Sequence, residues 1–251
     1  MADYDLPAIF TYVNQITHQR IHYIGHSQGT MQMHIALSKN NPVVEKYLDK
    51  YFGFGPVARV KYAKANLIDL MDKSGLIEWY YFNGIYEFLP SGDWFQTEAG
   101  ILFCRRFPKV CDDFLKEICD ADPSLDNYER FDVFIGHEPS GTSIMNMEHW
   151  KQLYDWGTFQ AYNYGTEEKN RAHYGQPTPP FYELRNIKVP IRLFAGSSDL
   201  LADPTDVQWM WAGLQTEAKK FLKTYKSGHV TFLWGKTTQP WMNDVFSMLE
   251  E

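Results

Sequence analysis

Three residue types that together activate a hydroxyl for attack occur in a definite order along the 251-residue chain: a serine, an aspartate and a histidine. Ser27 lies in a Gly-x-Ser-x-Gly motif at 25–29, whose glycines permit a sharp turn between a strand and a helix. A serine hydroxyl needs a base to take its proton, and the base needs an acid to fix its tautomer. The motif alone occurs by chance in roughly one chain in ten of this length, so its meaning depends on what surrounds it.

Candidates for the acid and the base follow Ser27 in the chain. Asp199 comes just after an apolar strand predicted over 189–196, and His229 comes just after a strand predicted over 221–225. The carboxyl ends of strands are where open α/β sheets assemble their sites. We therefore predict Ser27 as nucleophile, Asp199 as acid and His229 as base.

Two other aspartates compete with Asp199. Asp203 and Asp206 precede the apolar run at 207–210, where an aspartate is typical of a helix N-cap. His26 is a weaker candidate for the base, because its side chain is expected to point elsewhere across the turn that follows it.

The amide of Gln28, at the positive end of the predicted helix, is the expected oxyanion donor. In α/β folds with a serine on such a turn, a second donor comes from a loop upstream of the nucleophile. Only 26 residues precede Ser27 in this sequence. Loss of one such donor typically lowers the rate by about 10²–10³.

The elements that would position these residues alternate between helix and strand. We predict a helix over 6–19, strands over 20–24 and 43–54, and a helix after Ser27. These elements favour an α/β fold with a parallel sheet of the α/β-hydrolase type. The intervening segment is far longer than an ordinary crossover and is predicted to be an inserted, mainly helical cap or lid. The predicted domains are core at 1–57, cap at 58–183 and core at 184–251.

Composition excludes several classes of function. A net charge of −7 gives no basic footprint for nucleic acid. No apolar run reaches the roughly 18 residues of a membrane-spanning helix, and neither Cys/His ligand spacing nor a His-Glu-x-x-His motif points to a metal. Aromatic residues make up 16% of the chain, which suits an apolar ligand or surface.

The three cysteines, Cys104, Cys111 and Cys119, lie in one short segment. Their odd number leaves at least one unpaired within the chain. A disulfide between Cys104 and Cys111 would form only in an oxidising compartment, and three reduced thiols are the alternative.

Three segments around the predicted catalytic residues, at 23–30, 198–207 and 228–235, resemble the acid lipase family, which includes gastric and lysosomal lipases. Segments at 137–143, 146–150 and 159–162 look like the cap of that family. The resemblance covers essentially the whole chain. At the front it departs from the family, whose members begin with a signal peptide and several strands that include a His-Gly loop with the other oxyanion donor.

The resemblance implies hydrolysis of triacylglycerols or steryl esters without a cofactor, by a triad of Ser27, Asp199 and His229 with Gln28 as oxyanion donor. It also implies a lid over an apolar acyl site that touches lipid surfaces transiently, with an ordinary buried helix pair as the alternative. The implied lid residues are Leu76, Trp79, Phe82 and Trp94.

By the same resemblance Cys104 and Cys111 would be the family's disulfide, although their spacing is two residues shorter. The resemblance implies a lysosomal or secreted protein, whereas a chain translated as written has no signal peptide and would be cytoplasmic.

Two alternatives to a lipase stay open. One is a truncated, catalytically impaired fragment that acts in lipid binding or protein interaction, because the loop with the second oxyanion donor is missing. A sheet that starts at the nucleophile strand would also leave that strand with an unpaired edge. The other is a different serine acyl hydrolase, such as a thioesterase, with the same triad. The working pH is also open, since an ordinary imidazole is a poor base in acid.

Overall fold

A computed structural model describes most of the chain, namely residues 1–64, 75–89, 102–103, 105–107, 110, 120–130, 133–134, 136–137 and 140–251. The strands are β1 Ile21–His26, β2 Leu48–Phe54, β3 Glu87–Phe88, β4 Thr142–Ser143, β5 Ile191–Gly196 and β6 Lys219–Tyr225. The α-helices are α1 Asp5–Thr17, α2 Gln28–Ser38, α3 Pro42–Tyr47, α4 Leu76–Phe82, α5 Ile144–Trp156, α6 Glu167–Tyr174, α7 Pro204–Gly213, α8 Thr231–Trp234 and α9 Gln239–Leu249. Short 3₁₀ turns lie at Pro123–Leu125, Tyr128–Arg130, Leu184–Asn186 and Thr216–Ala218.

The main sheet has four parallel strands in the order β1-β2-β5-β6. Its register places Gly25 opposite Gly53 and Phe54 opposite Phe194. Because parallel strands end at the same edge of a sheet, the residues that follow β1, β5 and β6 are brought together there. The sheet with its flanking helices confirms the predicted α/β class. Within the described strands β1 pairs with β2.

One predicted element is wrong in part. The sequence pattern favoured a strand approach from 43 onward, but α3 occupies Pro42–Tyr47 and β2 begins only at Leu48. The side chain of Asn41 accepts hydrogen bonds from the amides of Val43 (3.1 Å) and Val44 (3.2 Å), and Pro42 occupies the first helical turn. An N-cap followed by proline is a strong helix start, and here it outweighs the β-preference of two valines.

The sheet is held by aromatic packing on the face that α9 covers. Phe54 and Phe194 stack with ring centroids 4.4 Å apart, and Phe52 is fully buried beside them. Trp241 and Val245 of α9 complete this cluster. Burying each such side chain contributes roughly 2 kcal/mol before entropy costs, so the strands that carry the site have little freedom to shift.

The described part of the segment predicted to be a cap, called the cap below, contains a helix pair and a small sheet. Strands β3 and β4 pair antiparallel, and Ile77 of α4 is buried in the core while α4 packs against α5. Across that contact the Tyr81 hydroxyl donates to Glu148 at 2.8 Å. None of the described helices is long and apolar enough to cross a membrane. The cap boundaries at 58 and 183 remain a prediction.

Candidate active site

Ser27 stands on a strained turn between β1 and α2. Its φ of 54° and ψ of −118° lie outside the regions that side-chain-bearing residues ordinarily adopt. Its N–H donates to the Phe54 carbonyl at 3.0 Å, while its carbonyl accepts from the amide (2.8 Å) and hydroxyl (2.6 Å) of Thr30. The strain is therefore held in place from both the neighbouring strand and the following helix.

Gly25 shows why the turn needs glycine. A Cβ at this position would lie 2.8 Å from the Tyr23 ring, closer than real Cβ contacts, and 3.0 Å from the backbone of Gly29, which is tighter than most of them. The Tyr23 hydroxyl in turn donates to the Gly29 carbonyl at 2.9 Å. The glycines of the motif are therefore needed because the strand closely approaches the first turn of α2.

Asp199 and His229 form a buried pair at the same edge of the sheet. The His229 Nδ1–H donates to Asp199 Oδ2 at 2.8 Å, and both side chains are nearly inaccessible to solvent. The other carboxylate oxygen, Oδ1, accepts from the amides of Leu201 (2.9 Å) and Ala202 (2.7 Å). A carboxylate only accepts hydrogen bonds, so Nδ1 carries the proton and Nε2 is left as the basic nitrogen.

The charge around His229 favours its protonated form. Burial by itself lowers the pKa of His229, but the charge and hydrogen bond of Asp199, with a contribution from Asp120, raise it overall above the ordinary imidazole value. A histidine with a raised pKa accepts a proton more readily, which is the property required of a general base.

The competing aspartates are engaged elsewhere. Asp203 caps α7 by accepting from the Thr205 amide at 2.7 Å and pairs with Lys64 at 3.0 Å. Asp206 accepts from the Arg59 side chain at 2.6 Å and from the Tyr62 amide at 2.7 Å. Both carboxylates therefore hold α7 and the segment after β2; Asp203 is the N-cap that the sequence predicted, whereas Asp206 lies inside the first turn of the helix.

His26 lies against the base instead of pointing away from the site. Its ring centroid is 4.7 Å from that of His229, and its Nε2–H donates to the His229 carbonyl at 2.8 Å. Burial and the charge of His229 lower the pKa of His26 to about 4. The His26 ring is thus neutral at physiological pH, and it packs against the loop that carries the base.

A residue that the sequence gave no reason to select, Asp120, holds that loop from the other side. Its fully buried carboxylate accepts from the His229 amide and, at 3.2 Å, from the Val230 amide. Its backbone pairs with that of Asp199. Burial, with the charges of Asp126 and Asp199, raises the pKa of Asp120 to about 7 although His229 opposes the shift. In the sequence its Asp-Ala-Asp context is typical of a solvated turn.

Gly55, which follows β2, also belongs to the site. It has a φ of +50°, and a Cβ there would lie 3.0 Å from the His229 ring and 3.3 Å from Asp199 Oδ2. The base and the acid pack directly over this glycine. The Gly-x-Gly pattern at 53–55 was the only signal for it in the sequence.

The remaining predicted residues differ in how they are placed. Gln28 is the first residue of α2, and among the described residues its N–H has no hydrogen-bond acceptor, as an oxyanion donor requires. No hydrogen bond joins Ser27 Oγ to His229 within the described part of the chain; such bonds often form only when substrate binds.

Of the predicted lid residues, Trp79 and Phe82 are exposed on α4 and Leu76 is half-buried. Trp94, Cys104 and Cys111 lie outside the described residues. Among those that are described, no three His, Cys, Asp or Glu side chains are grouped to hold a metal ion.

Several known proteins have sequences similar to this chain. The whole chain aligns with gastric triacylglycerol lipases from Rattus norvegicus (38% identity over 259 residues) and Homo sapiens (37% over 258). It spans 64% and 63% of the length of these relatives. Human lipase member J is 39% identical over 210 residues, which cover 82% of this chain and 57% of that protein. No family model matches the chain.

Solved structures share the fold at low sequence identity. A soluble variant of monoglyceride lipase from Saccharomyces cerevisiae superposes with a TM-score of 0.55 and 15% identity, over 99% of this chain and 68% of that one. Monoacylglycerol lipase from Paleococcus ferrophilus superposes with a TM-score of 0.51 and 13% identity, over 97% of this chain and 73% of that one. These similarities confirm the predicted α/β-hydrolase fold.

Proposed function

The chain belongs to the acid lipase family, and from this we propose that it hydrolyses carboxylic esters of lipids through a nucleophilic Ser27 assisted by His229 and Asp199. The observation that carries the proposal is the buried Asp199–His229 hydrogen bond at the sheet edge where the strained Ser27 turn also lies. The aspartate is held by two backbone amides, so the pair is preorganised before substrate arrives.

In the proposed reaction Ser27 Oγ attacks the ester carbonyl carbon while His229 Nε2 takes the hydroxyl proton. The carbonyl oxygen becomes an oxyanion that accepts a hydrogen bond from the Gln28 amide, helped by the positive end of α2. Collapse of the intermediate expels the alcohol, which takes its proton from His229. A water molecule then attacks the acyl-enzyme by the same route and releases the acid. Asp199 stabilises the imidazolium in each half-reaction, and no cofactor enters the cycle.

The substrate class follows from the relatives and from the cap. Gastric relatives are named triacylglycerol lipases, so triacylglycerols are the proposed substrates, with steryl esters as the second lipid ester class that the family resemblance implies. The exposed Trp79 (54%) and Phe82 (90%) of α4 support a lid that touches an apolar lipid surface. The family also supports a secreted or lysosomal setting for the protein.

A fluorophosphonate probe, which reacts only with an activated serine, tests the nucleophile directly. The parent chain, Ser27→Ala and a control Ser247→Ala, at an exposed serine of α9, are compared for labelling and for hydrolysis of a short p-nitrophenyl ester and of emulsified trioctanoin. We expect labelling and turnover in the parent and the control, and a loss of about 10⁶-fold in Ser27→Ala.

If the parent neither labels nor turns over, the proposal is wrong for this chain. Binding of that inactive chain to triacylglycerol emulsions, weakened by Trp79→Ala, would then favour a non-catalytic lipid-binding function. Turnover of acyl thioesters well above oxygen esters would instead favour a thioesterase.

A further inference from the structure

A pair of side-chain amides joins the cap to the residue after the nucleophile. Asn146 Nδ2 donates to Gln28 Oε1 at 3.1 Å, and Gln28 Nε2 lies 3.5 Å from Asn146 Oδ1. The two residues are 118 positions apart in the chain, and both are partly buried. Reciprocal pairing of two carboxamides restrains both side chains more than a single bond would.

Asn146 is itself held firmly on the cap side. The backbone N–H of Asn146 donates to Ser143 Oγ at 3.1 Å, which is the N-cap bond of α5. The side-chain Nδ2 of Asn146 also donates to Thr142 Oγ1 at 3.0 Å. The carboxamide therefore has a fixed orientation before it meets Gln28. Gln28 has one further side-chain contact, to Met1 Sδ at 2.8 Å, and a thioether is a weak acceptor.

Within the part of the chain that the structure describes, the backbone N–H groups of Gln28 and Gly29 have no hydrogen-bond acceptor at the start of α2, and that of Gln28 directly follows the nucleophile. The next two helical amides with partners, those of Thr30 and Met31, donate to the Ser27 carbonyl. Because backbone and side chain pivot about one Cα, fixing the Gln28 carboxamide limits how far its N–H can turn. An oxyanion donor depends on such fixed geometry, since its value comes from preorganisation.

We infer that Asn146 is a positioning residue that holds the Gln28 amide in place for the oxyanion and so couples the cap to the catalytic turn. This role rests on the proposed ester hydrolysis. It predicts an effect on the chemical step more than on substrate binding, because the oxyanion exists only during reaction.

The test compares Asn146→Ala, Gln28→Ala and the double variant on a soluble p-nitrophenyl ester, with Asn163→Ala as a control. The side-chain oxygen of Asn163 accepts from Asn170 Nδ2 and from the Gly165 amide, both at 2.9 Å, so its removal loosens a separate part of the cap without touching Gln28. We expect kcat to fall about 10-fold in Asn146→Ala with KM within about twofold, since complete loss of a donor costs about 10²–10³. The double variant should be no slower than Gln28→Ala alone, because the two residues act as a unit.

Asn146→Asp keeps an acceptor for Gln28 Nε2 and should recover part of kcat. An unchanged kcat in Asn146→Ala, strictly additive losses, or an equal loss in Asn163→Ala would overturn the positioning role. If the parent shows no ester turnover, the proposed ester hydrolysis is wrong for this chain. Amide hydrogen exchange of the 27–31 segment then still tests whether Asn146 restrains Gln28. Faster exchange in Asn146→Ala than in the parent supports the restraint, and equal exchange contradicts it.

Discussion

The sheet and the described part of the predicted cap both bury apolar side chains, but polar contacts are added to that packing in the cap. Around the sheet, Phe52 and Phe194 are fully buried in an aromatic cluster between the strands that lead to the predicted catalytic residues. In the cap, Glu148 of α5 accepts hydroxyl hydrogen bonds from Tyr81 at 2.8 Å and from Tyr162 at 2.5 Å. Close packing tolerates little movement, whereas individual polar contacts contribute about 1 kcal/mol each and exchange readily with water.

This difference suits the two tasks that the proposed function assigns. The sheet must hold an acid, a base and a nucleophile with small tolerance, because misplacement of about 1 Å can lower a rate by about 10². The cap must meet lipid, and the exposed aromatics on α4 are free to do so while its polar contacts rearrange. Substitutions on the sheet side should therefore affect the reaction, and matched substitutions in the cap that do not touch the Asn146–Gln28 pair should affect mainly stability.

The largest effect is expected from Asp199→Asn. The shape is kept, but the Nδ1–H of His229 loses its charged acceptor, and kcat should fall by about 10⁴. Because the Asp199 charge raises the pKa of His229, its removal lowers that pKa, and the residual activity should persist to lower pH than in the parent. Kinetics from pH 4 to 9 measure both effects.

Asp203→Asn is the matched control for this prediction, four residues along the same loop. Asparagine also caps helices well, so this variant should lose only the charge that pairs with the exposed Lys64 and faces the N-terminus of α7; the cost should be about 0.5 kcal/mol, with kcat almost unchanged. A similar loss of activity in both variants would contradict the assignment of Asp199.

Gly55→Ala comes next. The added Cβ would meet the His229 ring at 3.0 Å on a backbone with positive φ, so the base should shift and activity should fall about 10². Gly175 of the cap also has positive φ, but nothing lies within 4 Å of a Cβ there. Gly175→Ala should cost about 1 kcal/mol and keep full activity. Chemical denaturation measures the loss of stability in each variant, and kcat measures the loss of activity. Equal kcat values in the two variants would contradict the difference between sheet and cap.

The smallest effect is expected from Glu148→Gln in the cap. Burial and the Glu148 carboxylate raise the pKa of Tyr81 to about 12, so its hydroxyl stays protonated and donates to a charged acceptor. Glutamine is a neutral acceptor, so it weakens the hydrogen bonds from both the Tyr81 and the Tyr162 hydroxyls. We expect Tm to fall by about 2–4 °C for a domain of this size, while kcat on a soluble ester stays unchanged. Glu167→Gln, at an exposed cap position, serves as the control. An undiminished Tm would show that the polar contacts of the cap contribute no net stability.

Much of the local structure could be predicted from the residues. The strand, turn and helix around Ser27 follow from the glycine spacing and the apolar periodicity, and the strands before Asp199 and His229 follow from their β-branched and aromatic runs. The error at α3 arose at an element start, where the Asn41-Pro42 cap competed with β-preferring valines. Local signals of both kinds were present in the sequence, and their relative strength decided the outcome.

The amino-acid sequence by itself determined the strained turn at Ser27, the parallel α/β arrangement and the chain order of serine, aspartate and histidine. Only the tertiary structure decided which carboxylate meets His229, brought Asp120 to the base loop from 109 residues away, and paired Gln28 with Asn146. The physical reason is that turns and helix starts depend on neighbours in the chain. Contacts between distant residues depend instead on strand register and packing, which leave no local pattern to detect.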